Sequence, residues 1–194
     1  MTESYRIITA YRRMGAHSTI AVFRKDLRSE LRTRASLSAV LLFVVCAVMV
    51  ILFSTAGEKF SNEIAAALLW IVLFFSAMTG MAKSFVTEQE RGTGMYLRMT
   101  TPPLAVYFGK LLYNIILALA MTATEMLLFA IFFEHIGIGN PLAYFLTMFT
   151  GSIAVAVATT LISAIIATAT TKNALFPVVS LPIILPLVFT GGEA

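Results

Sequence analysis

Several residues whose types could do chemistry lie close together in one polar stretch between two long apolar runs. The stretch 88–103 reads EQERGTGMYLRMTTPP, in which two carboxylates precede an arginine and two glycines that let the backbone turn sharply. A short helix with charge at one end and apolar side chains at the other suits docking into a groove of another protein, and the alternative is an inert loop. The residues that we single out as a docking segment are Glu88, Glu90, Arg91, Gly92, Thr93 and Gly94.

A second ionisable group, Glu125, lies inside a long apolar run. A carboxylate in lipid costs a few kcal/mol at least, so we expect Glu125 to face the interior of a helical bundle and to be protonated or hydrogen-bonded. It either lines a polar path or gate, or makes a structural hydrogen bond to a serine or threonine on the second or fourth apolar span.

No residue of this chain can be assigned to catalysis. The sequence has no GxxxxGK run followed by Ser or Thr, the loop that cradles nucleotide phosphates, so any ATP chemistry must belong to another polypeptide. Gly109-Lys110 is not a remnant of such a loop, because the glycine that opens the loop is missing. We therefore name no catalytic residue and no metal ligand, and we expect that the chain is not an enzyme.

The composition argues against a soluble protein. Of the 194 residues, 59% are apolar and 12% are charged, whereas an average soluble domain has about 25% charged residues. The basic residues are not accompanied by the aromatic or glycine patterns of a nucleic-acid module, so we expect no nucleic-acid partner. The solvent of most of this chain is therefore the lipid bilayer.

Uncharged runs define the fold class, since a spanning helix needs roughly 20 apolar residues. We predict an all-α polytopic transmembrane bundle, in which residues 1–34 form an arm and residues 35–194 form the membrane domain. The polar loop 83–103 separates the second and third spans, and Thr101 and Pro102 have the pattern of an N-cap and a first helical position. The predicted spans are 35–56, 64–82, 104–133, 142–169 and 174–190.

The basic residues predict the orientation of the bundle. Eight of the 14 Lys and Arg residues precede residue 35, four lie between 83 and 110, and another is Lys172, which leaves only Lys59 on the other side. Cytoplasmic loops accumulate Lys and Arg, so the N-terminus, the loop 83–103 and the turn at Lys172 are predicted to be cytoplasmic.

The arm contains two rows of residues with a spacing of four. An apolar row beside a basic row predicts an amphipathic helix that lies in the inner headgroup layer and turns into the first span as an elbow, while the alternative is a basic flank that only sets the topology. The rows are Phe23, Leu27 and Leu31, and Arg24, Arg28 and Arg32.

Two later spans have unusual residues. Small residues recur every four positions in 156–168, which predicts a central place in the bundle or a dimer interface. Pro177, Pro182 and Pro186 interrupt the fifth span, where they act either as hinges or as static kinks.

Two runs carry a resemblance to a known family. KSFVTEQERGTGMYLRMTTPPLAVYFGKLLYN and the closing NALFPVVSLPIILPLVFTGGEA resemble CcmB, the haem exporter B type of permease in the cytochrome c maturation ABC system. The resemblance extends from about Phe23 to the end of the chain, although EQERGT-like loops also occur in other ABC-2-type permeases. It implies a type-2 ABC exporter-like fold of six spans, so we expect a sixth span that this chain lacks.

The resemblance also implies partners and a substrate. ATP would be bound by a separate CcmA-type subunit, and the docking segment 88–94 would pair with it. The other expected partners are CcmC-type and CcmD-type membrane subunits and a periplasmic CcmE-type haem chaperone, in the bacterial inner membrane, with the chain forming a dimer or pairing with another membrane subunit. We expect no cofactor held by this chain; haem would be a substrate, or ATP would drive release of the loaded chaperone.

His135 gains interest from that resemblance, because histidine is a usual axial ligand of haem iron. It is predicted near the outer face, where a single histidine in a polar exit loop is more often simply solvated. Two other functions stay open on the sequence: an ABC-2-type permease for another substrate, such as a lipid-linked glycan or a drug, and a membrane scaffold that transports nothing.

Overall fold

The structure, a computed structural model, describes residues 2–33, 35–55, 60–81, 85, 88, 92–133, 140–167, 185, 186 and 191. Within these ranges the secondary structure is helical and no strand occurs, which confirms the predicted all-α class. The helices are α1 (Thr2–Thr33), α2 (Ala35–Thr55), α3 (Asn62–Met81), α4 (Thr93–Thr100), α5 (Pro103–Phe132) and α6 (Pro141–Ile166).

Four of these helices, α2, α3, α5 and α6, are long and apolar enough to cross a membrane. Their ends lie within three residues of the first four predicted spans. The fifth predicted span, 174–190, lies outside the described residues except for 185 and 186, as do Pro177 and Pro182. The chain is thus a helical membrane bundle that passes the bilayer several times.

The start of α5 corrects one prediction. Thr101 is not the N-cap of this helix; it follows the last turn of α4, and its N–H donates to the carbonyl of Leu97 at 3.0 Å. Pro102 is in the N-cap position, with φ −57° and ψ 137°, and Pro103 is the first helical residue. The reason is the double proline, because a residue that precedes proline is pushed out of the helical region.

The start of α6 shows how local sequence sets a helix boundary. Asn140 is the N-cap, and its Oδ1 accepts a hydrogen bond from the N–H of Ala143 at 3.3 Å. Pro141 follows at the first helical position, where its missing N–H costs nothing. The Asn-Pro pair therefore sets the beginning of the span.

Helix α5 is central in the bundle, because it packs against α1, α2, α3 and α6. We call the end of the bundle with α4 and the beginning of α5 the charged end, and the end with the beginnings of α3 and α6 the opposite end. One buried apolar cluster lies nearer the charged end and includes Met81, Leu117 and Val155. A second lies nearer the opposite end and includes Trp70, Phe129 and Met148.

Helix α1 is longer than the predicted amphipathic rows and packs along α5. Among residues 17–32 of this helix, Val22 is buried, whereas Phe23 and Leu27 are half-buried and Leu31 is exposed. The arginine row, Arg24, Arg28 and Arg32, is also exposed. The apolar row therefore borders the contact with α5 rather than forming it, because the helical repeat turns Val22 and Asp26 towards α5 instead.

Candidate functional site

Four charged side chains meet at the charged end of the bundle, and we call them the charge cluster. They are Lys25 and Asp26 of α1, Glu88, and Lys110 of α5. Lys110 Nζ lies 3.1 Å from Asp26 Oδ2 and 3.6 Å from Glu88 Oε1. Lys25 pairs with the same oxygen of Glu88, and its Nζ also lies 3.1 Å from Asp26 Oδ1. The cluster joins α1, the docking segment and α5.

The charge cluster is largely shielded from solvent. The side chain of Lys110 is 3% exposed, and those of Asp26 and Glu88 are 12% and 16% exposed. Lys110 Nζ also lies 5.3 Å from the centre of the Phe85 ring. A buried ammonium group is tolerated when it is paired, and removal of one partner of a buried pair costs about 3–5 kcal/mol. Lys110 and its two carboxylates are therefore mutually dependent.

Glu88 also holds the beginning of α4. The hydroxyl of Thr93 donates to Glu88 Oε2 at 2.7 Å, and it lies 3.2 Å from the carbonyl of Glu88. Between them, Gly92 adopts φ 70°, a left-handed conformation that glycine enters without strain. Three of the predicted segment residues, Glu88, Gly92 and Thr93, thus form one local unit. Gly94 lies in the first turn of α4, while Glu90 and Arg91 lie outside the described residues.

Burial and pairing act in opposite directions on the pKa of Glu88. Burial alone raises it, but the hydrogen bonds from Lys25 and Thr93 and the charges of Lys110 and Lys25 outweigh burial and lower the pKa to about 2. For Lys25, burial lowers the pKa, but the hydrogen bond to Glu88 and the charge of Asp26 prevail, so its pKa is raised. Both groups are therefore charged in the folded protein at neutral pH.

These shifts predict how stability depends on pH. Because the folded pKa of Glu88 lies below its ordinary 4.5, its contribution is complete above pH 4.5 and is lost as the pH falls towards about 2. The contribution of Lys25 is complete below 10.5 and is lost as the pH rises above that value. We expect the unfolding midpoint in detergent to fall more steeply below pH 4.5 in the wild type than in Glu88→Gln. Parallel curves would contradict this role of Glu88.

Helices α1 and α5 approach very closely beside the charge cluster. A Cβ atom added to Gly109 would lie 2.8 Å from Val22 Cβ and 2.9 Å from the carbonyl oxygen of Thr19. A glycine at position 109 is what lets the two backbones meet at this distance. The contact places Lys110, the next residue, against Asp26.

Helix α4 has an unpartnered apolar surface next to this cluster. Tyr96 is 72% exposed and Met99 is 78% exposed, while Leu97 on the other side of the helix is half-buried. The predicted apolar side chains are thus present on α4, whereas the one described charge of the docking segment, Glu88, precedes the helix and is already paired within the chain. Among the described side chains of α4, the large exposed ones, Tyr96 and Met99, are apolar.

Glu125 lies in the middle of the bundle and is wholly buried. Its Oε1 lies 2.8 Å from the hydroxyl of Ser76 on α3, and that hydroxyl also lies 2.9 Å from the carbonyl of Leu73. A serine hydroxyl has one hydrogen, so it donates to only one of these oxygens at a time. When it donates to Leu73, a protonated Glu125 can donate to it in turn. Oε2 of Glu125 has no hydrogen-bond partner in the described structure.

A second buried polar contact, which the sequence did not predict, joins α5 and α6. Asn114, one helical turn beyond Lys110 on α5, donates from Nδ2 to Thr160 Oγ1 of α6 at 2.8 Å, and both residues are wholly buried. The threonine belongs to the row of small residues, which points to a central place for α6. Lys110 and Asn114 are four residues apart and so lie on one helix face, and this spacing is the sequence signal that could have singled out Asn114.

The structure does not test the remaining predicted residues. His135 lies outside the described residues, and Pro186 is exposed. No group of three or more His, Cys, Asp or Glu residues suitable for a metal ion occurs in the described part of the chain.

Comparisons with known proteins agree with this architecture. The family model of the CcmB protein matches residues 17–194, which include α2 to α6, the charge cluster and most of α1. No curated protein and no solved structure was found to match the chain. A family model that covers nearly the whole chain, together with a helical membrane bundle, shows that this chain belongs to the CcmB family, a permease-type membrane component of the cytochrome c maturation ABC system.

Proposed function

We propose that this chain is the permease subunit that transmits the movement of a separate, CcmA-type ATP-binding subunit to the membrane spans. The observation that carries the proposal is the exposed apolar surface of α4 beside the buried charge cluster. The surface supplies a place for the ATP-binding subunit to dock. The cluster supplies a rigid connection from that place to the spans.

The connection has two branches. From α4, Thr93 holds Glu88, and Glu88 contacts Lys110 at 3.6 Å, so a displacement of α4 reaches α5. Through Lys25 and Asp26 the same displacement reaches α1. Helix α5 has 30 residues and is about 45 Å long at a rise of 1.5 Å per residue. A push at its beginning is therefore transmitted across the whole bilayer.

This arrangement assigns different roles to the residues of the docking segment. Glu88 stabilises the docking segment within the chain and does not contact the partner, because Lys25, Lys110 and Thr93 already bind its carboxylate. Tyr96 and Met99 form the apolar contact with the partner. Glu90 and Arg91 stay candidates for charge pairing with it.

The remaining parts of the proposal follow from the family and the distribution of charge. The charged end faces the cytoplasm of a bacterial inner membrane, since 13 of the 14 basic residues are placed there by the predicted topology. The complex contains CcmC-type and CcmD-type membrane subunits and serves a periplasmic CcmE-type haem chaperone, with the chain as a dimer or paired with another membrane subunit. ATP energy then drives either haem export or the release of the loaded chaperone.

The docking surface can be tested with one double variant and one control. Tyr96→Asp with Met99→Asp puts two charges on the apolar face of α4, and we expect the ATP-binding subunit to be lost from the purified complex, with at least a tenfold fall in ATP turnover. Tyr96→Phe with Met99→Leu keeps the face apolar and is expected to retain both. Equal recovery of the subunit with the aspartate variant would show that α4 is not the docking site.

A further inference from the structure

A cleft of about 1090 Å³ lies between α3, α5 and α6 at the opposite end of the bundle. Asn62 and Asn140, at the beginnings of α3 and α6, line it near its mouth, and most of its remaining wall is apolar. Trp70 and Thr122 also line it, two and three helical turns from the ends of their helices. The cleft thus reaches from the bundle surface towards the centre of the membrane.

The inner part of this cleft has polar atoms without partners. Trp70 and Thr122 are 1% and 3% exposed, and neither Trp70 Nε1 nor Thr122 Oγ1 has a hydrogen-bond partner in the described structure. Oε2 of Glu125 likewise has no hydrogen-bond partner in the described structure. Glu125 follows Thr122 by three residues, so the two side chains lie on one face of α5. Buried polar atoms without protein partners are normally bound to water.

The path from Glu125 towards the charged end is closed by apolar side chains. Leu117, Ala118 and Met121 follow one another on the interior side of α5, and they pack with Val155 and Ala156 of α6 in one buried cluster. This layer lies between Glu125 and the buried pair of Asn114 and Thr160. The side chains of these five residues carry no polar group.

We infer that water enters the cleft from the opposite end, occupies the sites beside Trp70 and Thr122, and reaches Glu125, while the apolar layer blocks water from the charged end. Glu125 is then a carboxyl group in contact with the solution on one side of the membrane only. Its free oxygen has a water partner, and it exchanges protons with that side. This inference goes beyond the proposed docking of an ATP-binding subunit and does not depend on it.

Thiol accessibility to Ag⁺, an ion of roughly the size of water, tests this path. The native Cys46 is first replaced in a Cys46→Ser background, because it is an exposed free thiol. Thr122→Cys and Ser76→Cys place thiols at the inner cleft and beside Glu125. Each variant is exposed to Ag⁺ in intact membrane vesicles of either orientation, then unfolded, and the thiols still free are alkylated and counted by mass spectrometry.

Matched controls define position and side. Ala120→Cys lies near the depth of Thr122 but on the exposed, lipid-facing side of α5, and Leu117→Cys lies in the apolar layer. Glu63→Cys at the beginning of α3 and Thr100→Cys at the end of α4 mark the two sides of the membrane, whichever way the bundle is oriented. The reaction needs water, because the thiolate is the metal ligand.

We expect Thr122→Cys and Ser76→Cys to react at least about tenfold faster than Ala120→Cys and Leu117→Cys, and only from the side that modifies Glu63→Cys. Two unreactive cleft thiols, in variants that still reach the membrane, would overturn the inference of a hydrated cleft. Reaction from the Thr100→Cys side, or an equally fast reaction of Ala120→Cys, would overturn the one-sided path. If Thr122→Cys fails to accumulate, Ser76→Cys alone decides.

Discussion

Replacing Lys110 with Met is expected to have the largest effect of any single change in the charge cluster. Lys110 is the most deeply buried member, and its loss removes the α5 partner of both carboxylates, which leaves Asp26 with Lys25 and Glu88 with Lys25 and Thr93. Leaving buried charge unpaired costs about 3–5 kcal/mol. We expect a loss of about 3 kcal/mol in the free energy of unfolding, seen as a lower unfolding midpoint in detergent, and loss of coupling between ATP turnover and transport.

Two variants separate the ion pair from the general loss of a lysine. Lys25→Met removes a cation of the same cluster, but the Lys25 side chain is 44% exposed, so its loss is expected to cost about 1 kcal/mol or less. Asp26→Leu in the Lys110→Met background removes the carboxylate that lost its α5 partner and keeps only Lys25, and it should restore part of the stability. Equal unfolding midpoints for wild type and Lys110→Met would refute the structural role of the cluster.

Replacing Gly109 is expected to separate α1 from α5. Alanine at this position would put its Cβ against Val22 and the Thr19 carbonyl, and the backbone atom cannot move aside without moving α1. Overpacking of this kind costs about 1–3 kcal/mol. We therefore expect Gly109→Ala to lower the unfolding midpoint, and Gly109→Leu to lower it further and to displace Asp26 from Lys110.

The control for this prediction is Gly80→Ala on α3. A Cβ at Gly80 would meet the terminal methyl of Met121, the flexible end of a long side chain that can swing away. Its midpoint should therefore change less than that of Gly109→Ala. A larger loss for Gly80→Ala than for Gly109→Ala would show that the close contact between α1 and α5 is not a sensitive point of the fold.

The positions of the spans could be predicted from the sequence more completely than the contacts of the candidate site. Four spans could be located to within a few residues, because a bilayer needs about 20 apolar residues and charges interrupt them visibly. The boundary at Thr101 was wrong, because the steric effect of Pro103 on Pro102 outweighed the usual N-cap preference of threonine. Local sequence thus determines where the helices lie, and a predicted boundary is wrong where two local preferences compete.

The contacts between elements could not be predicted in the same way. Glu88 could be singled out from EQERGTG, but its partners Lys25 and Lys110 depend on how α1 rotates and where it meets α5. The sequence excludes Gly109-Lys110 as part of a nucleotide loop and places Lys110 among the cytoplasmic basic residues, but it predicts no contact of either residue with α1. Similarly, a serine or threonine partner for Glu125 could be expected on the second or fourth span, whereas the choice of Ser76 follows from the rotation of α3. A single sequence does not contain that information.

The most direct test of the proposed coupling role is a crosslink from α4 itself. Met99 is replaced with a photo-reactive phenylalanine derivative, since its side chain is 78% exposed, and membranes that contain the whole complex are irradiated with and without ATP. We expect one main protein adduct, a nucleotide-binding ABC subunit, with a yield that changes when ATP is added. Adducts with lipid alone, or with proteins that bind no nucleotide, would contradict it.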